Sequence, residues 1–312
     1  MTRDPPTSQI DWTEAEFVER LARSLGCADQ PELIGEGVNN WVYRANADSG
    51  PIAVRLGKPV RAHIVAEEFR KEKWCAAVAR AAGIETPEVL GVGDFEGRAY
   101  LLQAFCPGRP VSAGEDAAPY FEALGRMARA ANDITVTGWG PRFTGDGVFG
   151  QTWEDHLAYN VACLTPDDPL IGLGVLDAAN SAAWRAWLAR LAGLDVRMGL
   201  CHGDLALWNL IVGENGTLTL IDWGCARAAP VPFQEFVETT RDGRAQDVAL
   251  DAFARGYGLS PRGLKAIRPL TAAFLALREI DTLRWTLEHN AGGTANRAIR
   301  ARSAVDGLLA LA

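Results

Sequence analysis

Basic residues are in deficit: 31 lysines and arginines stand against 39 aspartates and glutamates in 312 residues, a formal net charge of −8. No Lys/Arg-rich tract offsets that balance, and a phosphate backbone needs a basic surface, so no nucleic-acid partner is expected. The same acidity is compatible with a cationic small-molecule partner. The four histidines include no two at metal-ligand spacing, which argues against a zinc site. Cys27, Cys75, Cys106, Cys163, Cys201 and Cys225 are scattered without paired spacing, as expected of thiols in a reducing compartment. Cys201 and Cys225 are expected to be buried small apolar residues. No apolar run approaches the length that crosses a bilayer, and the start, Met1 to Pro6, lacks a basic-then-apolar signal pattern. The expectation is a cytoplasmic protein with no membrane partner. With 48% apolar residues, the chain can bury a sizeable core.

What is present centres on His202-Gly203-Asp204, Asn209 and Ile221-Asp222-Trp223-Gly224. Between Asn209 and Asp222 lie two short apolar runs, Leu210 to Val212 and Leu218 to Ile221, around the turn-rich Gly213-Glu214-Asn215-Gly216. That pattern predicts a β-hairpin. Folding it back sets Asn209 beside Asp222 at its open end. An amide oxygen and a carboxylate there suit a hard cation such as Mg²⁺, which takes one or two protein oxygens and leaves its other positions to phosphate and water. Asp204, just before the hairpin, faces the same point and is placed to accept a proton from an attacking hydroxyl. Taken singly, each residue also has a structural role open to it, capping a turn or ending a strand.

These residues resemble the Brenner-type signature of the aminoglycoside phosphotransferase and choline kinase superfamily. The resemblance implies an α+β, two-lobed, protein-kinase-like fold: residues 1–105 as a nucleotide-binding lobe with an N-terminal helix, a small antiparallel sheet and one main helix, and residues 106–312 as a larger, mainly helical catalytic lobe. It implies ATP and Mg²⁺ as cofactors. Asp204 matches the catalytic-loop aspartate, and Asn209 and Asp222 match the metal-binding pair. His202 matches a histidine usual in the family, which we expect to anchor the loop. Ala206-Leu207-Trp208 departs from the more polar stretch of many relatives.

Such a fold needs a phosphate cover and a paired cation upstream. Leu33 to Ala45 reads as strand, flexible turn and strand, with Gly35, Gly37 and Asn39 as candidates for letting backbone N–H groups approach phosphate. A plain hairpin would look similar. Arg55, on the strand Ile52 to Leu56, stands where protein kinases carry their phosphate-binding lysine, and a guanidinium bridges phosphate as well as carboxylate. Val65, Phe69, Ala76 and Ala79 form an apolar stripe on a helix expected from Ile64 to Ala82, and Glu72 falls inside that stripe. A carboxylate on a buried face wants a cation, so Glu72 is the expected partner of Arg55, with Glu68 as fallback. Thr86 to Leu90 and Arg98 to Phe105 read as further strands, and resemblance makes Gln103 to Phe105 the nucleotide hinge before Cys106-Pro107-Gly108.

In the larger lobe, helices are expected over 118–133, 178–194 and 269–289. The glycine- and aromatic-rich stretch from Gly138 to Leu157 is similar to hygromycin-type phosphotransferases, while an Ω-loop anchored by Trp139 and Trp153 explains it equally. Glu235, Glu238, Asp242, Glu279, Asp281 and Glu288 are candidates to bind ammonium groups of an acceptor. Solvated helix faces, or ion pairs with Arg278 and Arg284, are the alternative. The resemblance thus implies a small-molecule O-phosphotransferase acting on an aminoglycoside or aminocyclitol in antibiotic resistance. Choline, an amino alcohol or a sugar is compatible with the same motifs, and a nucleotide-binding pseudokinase is the reading of another class.

Overall fold

The computed structural model describes residues 14–37, 39–59, 62–112, 114–240 and 247–311. Met1 to Pro6, Val38 and Asp242 lie outside the described residues. The chain divides into two compact units, one running to Lys73 and including Pro87–Cys106, the other Trp74–Thr86 and everything from Pro107.

The first unit contains helix α1 (Glu14–Ser24), strands β1 (Glu32–Glu36), β2 (Asn40–Ala47) and β3 (Gly50–Gly57), the start of helix α2 (Ala62–Ala81), and strands β4 (Val89–Phe95) and β5 (Arg98–Ala104). The strands form a five-stranded antiparallel sheet in the order β1-β2-β3-β5-β4. Side chains alternate between faces along a strand, and β3 uses both. Ile52, Val54 and Leu56 pack with Phe17, Val18 and Leu21 of α1. Val65 and Phe69 of α2 pack with Ala99 and Leu101 of β5 on the opposite face. Each such fully buried aliphatic or aromatic side chain contributes roughly 1.5–3 kcal/mol. Arg98 fixes α1 by pairing with Glu14 at 2.9 Å while its guanidinium lies 4.4 Å over the Phe17 ring.

The second unit continues through β6 (Arg109–Pro110), α3 (Ala118–Asn132), β7 (Trp139–Gly145), β8 (Val148–Gln151), α4 (Trp153–Cys163), α5 (Pro169–Gly172) and α6 (Ala178–Ala192). It ends with β9 (Met198–Cys201), β10 (Leu210–Val212), β11 (Leu218–Leu220), β12 (Arg227–Pro230), α7 (Phe233–Thr240), α8 (Asp247–Tyr257), α9 (Pro261–Glu288) and α10 (Thr294–Leu309). Two small sheets, β11-β10-β6 and β8-β7-β12-β9, hold the segments around Asp204. Trp153, Trp184, Leu188, Phe274, Ile280 and Val305 belong to the main helical core. Helices α3 and α8 approach closely, because a Cβ at Gly125 or Gly256 would overlap the opposite backbone.

Four local expectations need correction. The expected strand Thr86 to Leu90 begins only at Val89, since Thr86 is occupied as a side-chain partner of Trp223. Trp74–Thr86 groups with the second unit: Glu85 accepts from Leu220 N–H at 2.8 Å, and Trp74 lies 5.3 Å from Phe143. The late helix starts at Pro261 instead of Pro269. Ser260 caps it by accepting from Gly263 N–H at 3.1 Å, and Pro269 sits inside at the loss of one backbone donor. The stretch after Gly138 is the β7–β8 hairpin followed by α4, with Thr152 as its cap, and not an Ω-loop. Trp139 stacks at 3.6 Å on His156 and lies 6.1 Å from Trp153.

Candidate active site

The hairpin forms in the expected register. Leu210 pairs with Leu220, Ile211 with Thr219 and Val212 with Leu218. The ladder extends one step, Ile221 N–H donating to Asn209 O at 2.9 Å, which brings Asn209 and Asp222 to the same end. Asp222 then turns the chain in the left-handed region, at φ 66° and ψ 65°, a conformation Asp tolerates better than most residues.

Asn209 closes a short 3₁₀ turn, Leu207–Asn209, and is almost fully buried. Its Nδ2 donates to Asp204 Oδ2 at 3.0 Å and to Asp204 O at 2.8 Å. The Trp208 indole N–H points at the same Asp204 Oδ2 from 3.4 Å. With its amide hydrogens on Asp204, Asn209 keeps Oδ1 as an oxygen that accepts no hydrogen bond among the described residues. A hard oxygen left in this way, at the same hairpin end as a carboxylate, fits the donor chemistry of Mg²⁺. Among the described residues no group of three or more His, Cys, Asp or Glu could hold a metal ion, so the fit concerns this two-oxygen pair.

Several contacts fix the loop that carries Asp204. Arg227 pairs with Cys201, tying the strands on either side of the site. Gly203 adopts φ +79° against the Cys225 carbonyl, where any Cβ would overlap it. His202 is buried; its Nε2 donates to Ile221 O at 3.0 Å and its ring meets Trp223 edge-on at 4.8 Å. Burial pushes its pKa below the ordinary histidine range, the nearby Asp222 charge opposing. A neutral, hydrogen-bonded imidazole matches the expected anchor.

Glu235, expected to bind an acceptor, is instead wholly buried and accepts the His202 backbone N–H at 2.9 Å. Desolvation raises its pKa to about 8; the His202 hydrogen bond opposes this and the charge of Glu238 adds to it. Glu238 is equally buried and receives Arg278 Nε at 2.6 Å. Neither carboxylate faces solvent, so both are corrected from ligand-binding to structural positions. A sequence signal existed, since Phe233, Phe236 and Val237 surround them with apolar residues. Asp281, partly exposed, pairs with His156 Nε2 at 3.0 Å and accepts from Asn160 at 2.9 Å. Glu279 lines a groove of about 1000 Å³ between α7, α8, α9 and α10 whose lining includes none of Asp204, Asn209 and Asp222. Glu288 accepts from Tyr159, and Arg284 pairs with buried Asp168 at 2.7 Å. None of the six cysteines forms a disulfide among the described residues, and Cys225 is exposed, against expectation, at the end of the 3₁₀ turn that follows Asp222.

In the first unit, Arg55 Nη1 donates to Glu72 Oε1, both side chains buried, with the guanidinium 5.6 Å from the Phe69 ring. Glu68 is engaged elsewhere, accepting from Asn39 Nδ2 at 3.1 Å. Gly35 lies at the irregular end of the β1–β2 pairing, and Gly37 N–H donates to Asn40 O at 2.8 Å. At the expected hinge Gln103 pairs with Ala53, Ala104 N–H donates to Glu88 O at 2.9 Å and Phe105 N–H to Pro51 O at 3.1 Å.

A sheet with a buried Arg–Glu pair against its helix, and a mainly helical unit with an aspartate loop and metal-type hairpin, make up a protein-kinase-like α+β phosphotransferase fold. The chain belongs to the phosphotransferase enzyme family, whose profile matches residues 31–270. It is an enzyme that transfers phosphate to hydroxyl acceptors. No curated protein sequence matches closely enough to count as a relative. Among solved structures, the aminoglycoside phosphotransferase APH(4)-Ia superimposes with a TM-score of 0.67 at 18% identity, over 94% of this chain and 98% of that one. A thermostable variant of that enzyme, in ternary complex with AMP-PNP and hygromycin B, gives 0.67 at 19%, over 93% and 97%. Variants of it carry alanine at an aspartate, or at asparagines four and five residues beyond it. Choline kinase LicA from Streptococcus pneumoniae gives 0.58 at 16%, over 94% and 97%. At these identities the likeness defines the fold. No helix among the described residues is long and apolar enough to cross a membrane.

Proposed function

We propose that this enzyme moves the γ-phosphoryl group of ATP onto a hydroxyl of a cationic small molecule, foremost an aminoglycoside or aminocyclitol. The supporting observation is the hairpin end itself, where Asn209 holds the Asp204 carboxylate at 3.0 Å beside the Asp222 turn. Asp204 accepts the proton of the attacking hydroxyl. Asn209 keeps that carboxylate in one orientation and, with Asp222, would hold Mg²⁺, which when bound neutralises charge on the phosphates. The spacing from Asp204 to Trp208 and Asn209 is that of the aspartate and two asparagines altered in the hygromycin B complexes.

In the first unit we assign phosphate contacts to Arg55, held by Glu72, and phosphate cover to the turn carrying Gly35, Gly37 and Asn39. The end of β5, Gln103 to Phe105, is assigned to the base. Because the N–H groups of Ala104 and Phe105 are engaged within the unit, the base is read by carbonyls there or by N–H groups beyond Phe105. Asp281, which is partly exposed, is retained as an acceptor ligand, with its charge shared by His156.

Purified protein with labelled ATP, screened against aminoglycosides, choline, amino alcohols and sugars, tests the proposal. Mg²⁺-dependent label transfer to at least one cationic acceptor is expected. Label transfer confined to uncharged acceptors, or turnover that stays at background with every acceptor, would overturn it.

A further inference from the structure

Trp208 is 56% exposed, whereas Trp153, Trp184, Trp187 and Trp223 are buried. Trp285 is exposed too, at 46%, but it stacks on His289, whereas Trp208 stands at the candidate site with a polar edge and an apolar body. This one also stands on a rigid base. Leu205 and Ala206 are buried, Asn209 N–H donates to Ala206 O at 3.0 Å, and Asn209 is locked to Asp204. The indole N–H lies 3.4 Å from Asp204 Oδ2, so the ring borders the carboxylate to which the acceptor hydroxyl is assigned. An indole whose N–H edge meets a carboxylate carries its π-faces beside an anion, and that combination has a definite chemical preference. The ring quadrupole attracts a cation, and the neighbouring anion reinforces that choice.

We propose that Trp208 is a specificity-determining contact that receives an ammonium group of the acceptor on its indole face while the acceptor hydroxyl sits at Asp204. This rests on the proposal of phosphotransfer to a cationic acceptor and adds to it the side chain that reads the charge. Trp208 moves no proton; it discriminates between acceptors.

The test compares wild-type protein with Trp208→Phe and Trp208→Leu in two measurements. Tryptophan fluorescence is titrated with hygromycin B, spectinomycin, choline and 3,3-dimethylbutan-1-ol, the last an uncharged mimic of choline. At least one cation should perturb a component present in wild type and missing from Trp208→Phe, and the neutral alcohol should not. On any cationic acceptor that is phosphorylated, Trp208→Leu should raise KM by about tenfold, the factor carried by ~1.4 kcal/mol and within the range of a cation over an indole. Trp208→Phe should fall between. If no cation perturbs the Trp208 component, or if Trp208→Leu keeps the wild-type KM, the assignment is overturned. A cation that perturbs Trp208 without any phosphate transfer would sustain it while sinking the phosphotransfer reading, so the two failures separate. Unchanged thermal melting of both variants excludes an unfolding artefact, as an exposed position predicts.

Discussion

Replacing Glu235 by Gln removes a titrating group with little change of shape, and the structure gives the sign of the effect. The carboxyl is buried behind the Asp204 loop, and its pKa rises from 4.5 to about 8 on folding. Folded protein therefore holds a proton that unfolded protein releases between those two values. Stability contributed at Glu235 is fully present below pH 4.5 and is lost as pH rises toward 8. The slope is ~1.4 kcal/mol per pH unit, and the whole window amounts to ~5 kcal/mol. A glutamine at 235 stays neutral and can still accept the His202 N–H through its amide oxygen. Glu235→Gln should thus gain on wild type as pH rises, matching it near pH 5 and exceeding it by a few kcal/mol near pH 8. Denaturant unfolding of both proteins at half-unit pH steps measures this directly. Glu235→Ala supplies the contrast: it strands the buried His202 N–H, which costs roughly 1–3 kcal/mol, and it should lower kcat by loosening the loop. A stability difference between Glu235→Gln and wild type that is flat from pH 5 to 8 would refute the assignment of a buried, protonated carboxyl.

Other variants probe the remaining parts. Asp204→Asn should reduce kcat by ~10²–10⁴, the usual contribution of a general base, with nucleotide affinity near wild type by calorimetry; undiminished turnover would remove Asp204 from the chemistry. Arg55→Met strips the arginine from buried Glu72 and should destabilise the protein by roughly 3–5 kcal/mol, while Arg55→Met with Glu72→Leu should recover much of that loss. Chemical denaturation of the single and double variants decides this, and equal stabilities would contradict a buried ion pair. Gly203→Ala forces a side chain into the Cys225 carbonyl at a left-handed φ and should cost at least ~1 kcal/mol, visible as a lower melting temperature. Wild-type melting in that variant would show that the loop has room.

The elements legible in the sequence were those specified over a few residues. The hairpin from Leu210 to Leu220 announced itself by apolar runs around Gly213 to Gly216, and the α2 stripe fixed Glu72 over Glu68 because 3.6-residue periodicity places it on the buried face. What depends on distant partners was not legible. Glu235 and Glu238 stood as acceptor ligands, with ion pairing to Arg278 as the alternative, and the fold decides between these by giving Glu235 the His202 N–H and Glu238 Arg278. Pro269 read as a helix start because proline usually marks one, yet Ser260 and Pro261 had already started the helix. Trp74–Thr86 could not be assigned from sequence either, since its grouping rests on bonds to Leu220 and Trp223, more than a hundred residues away.

The central claim is that Asn209 and Asp222 together hold the magnesium of a bound nucleotide. Calorimetric titration of AMP-PNP with and without Mg²⁺, into wild type and Asp222→Ala, tests it most directly. Tightening by Mg²⁺ of about tenfold or more in wild type, abolished in the variant, is the predicted result. The same metal-dependent tightening in Asp222→Ala would contradict the account.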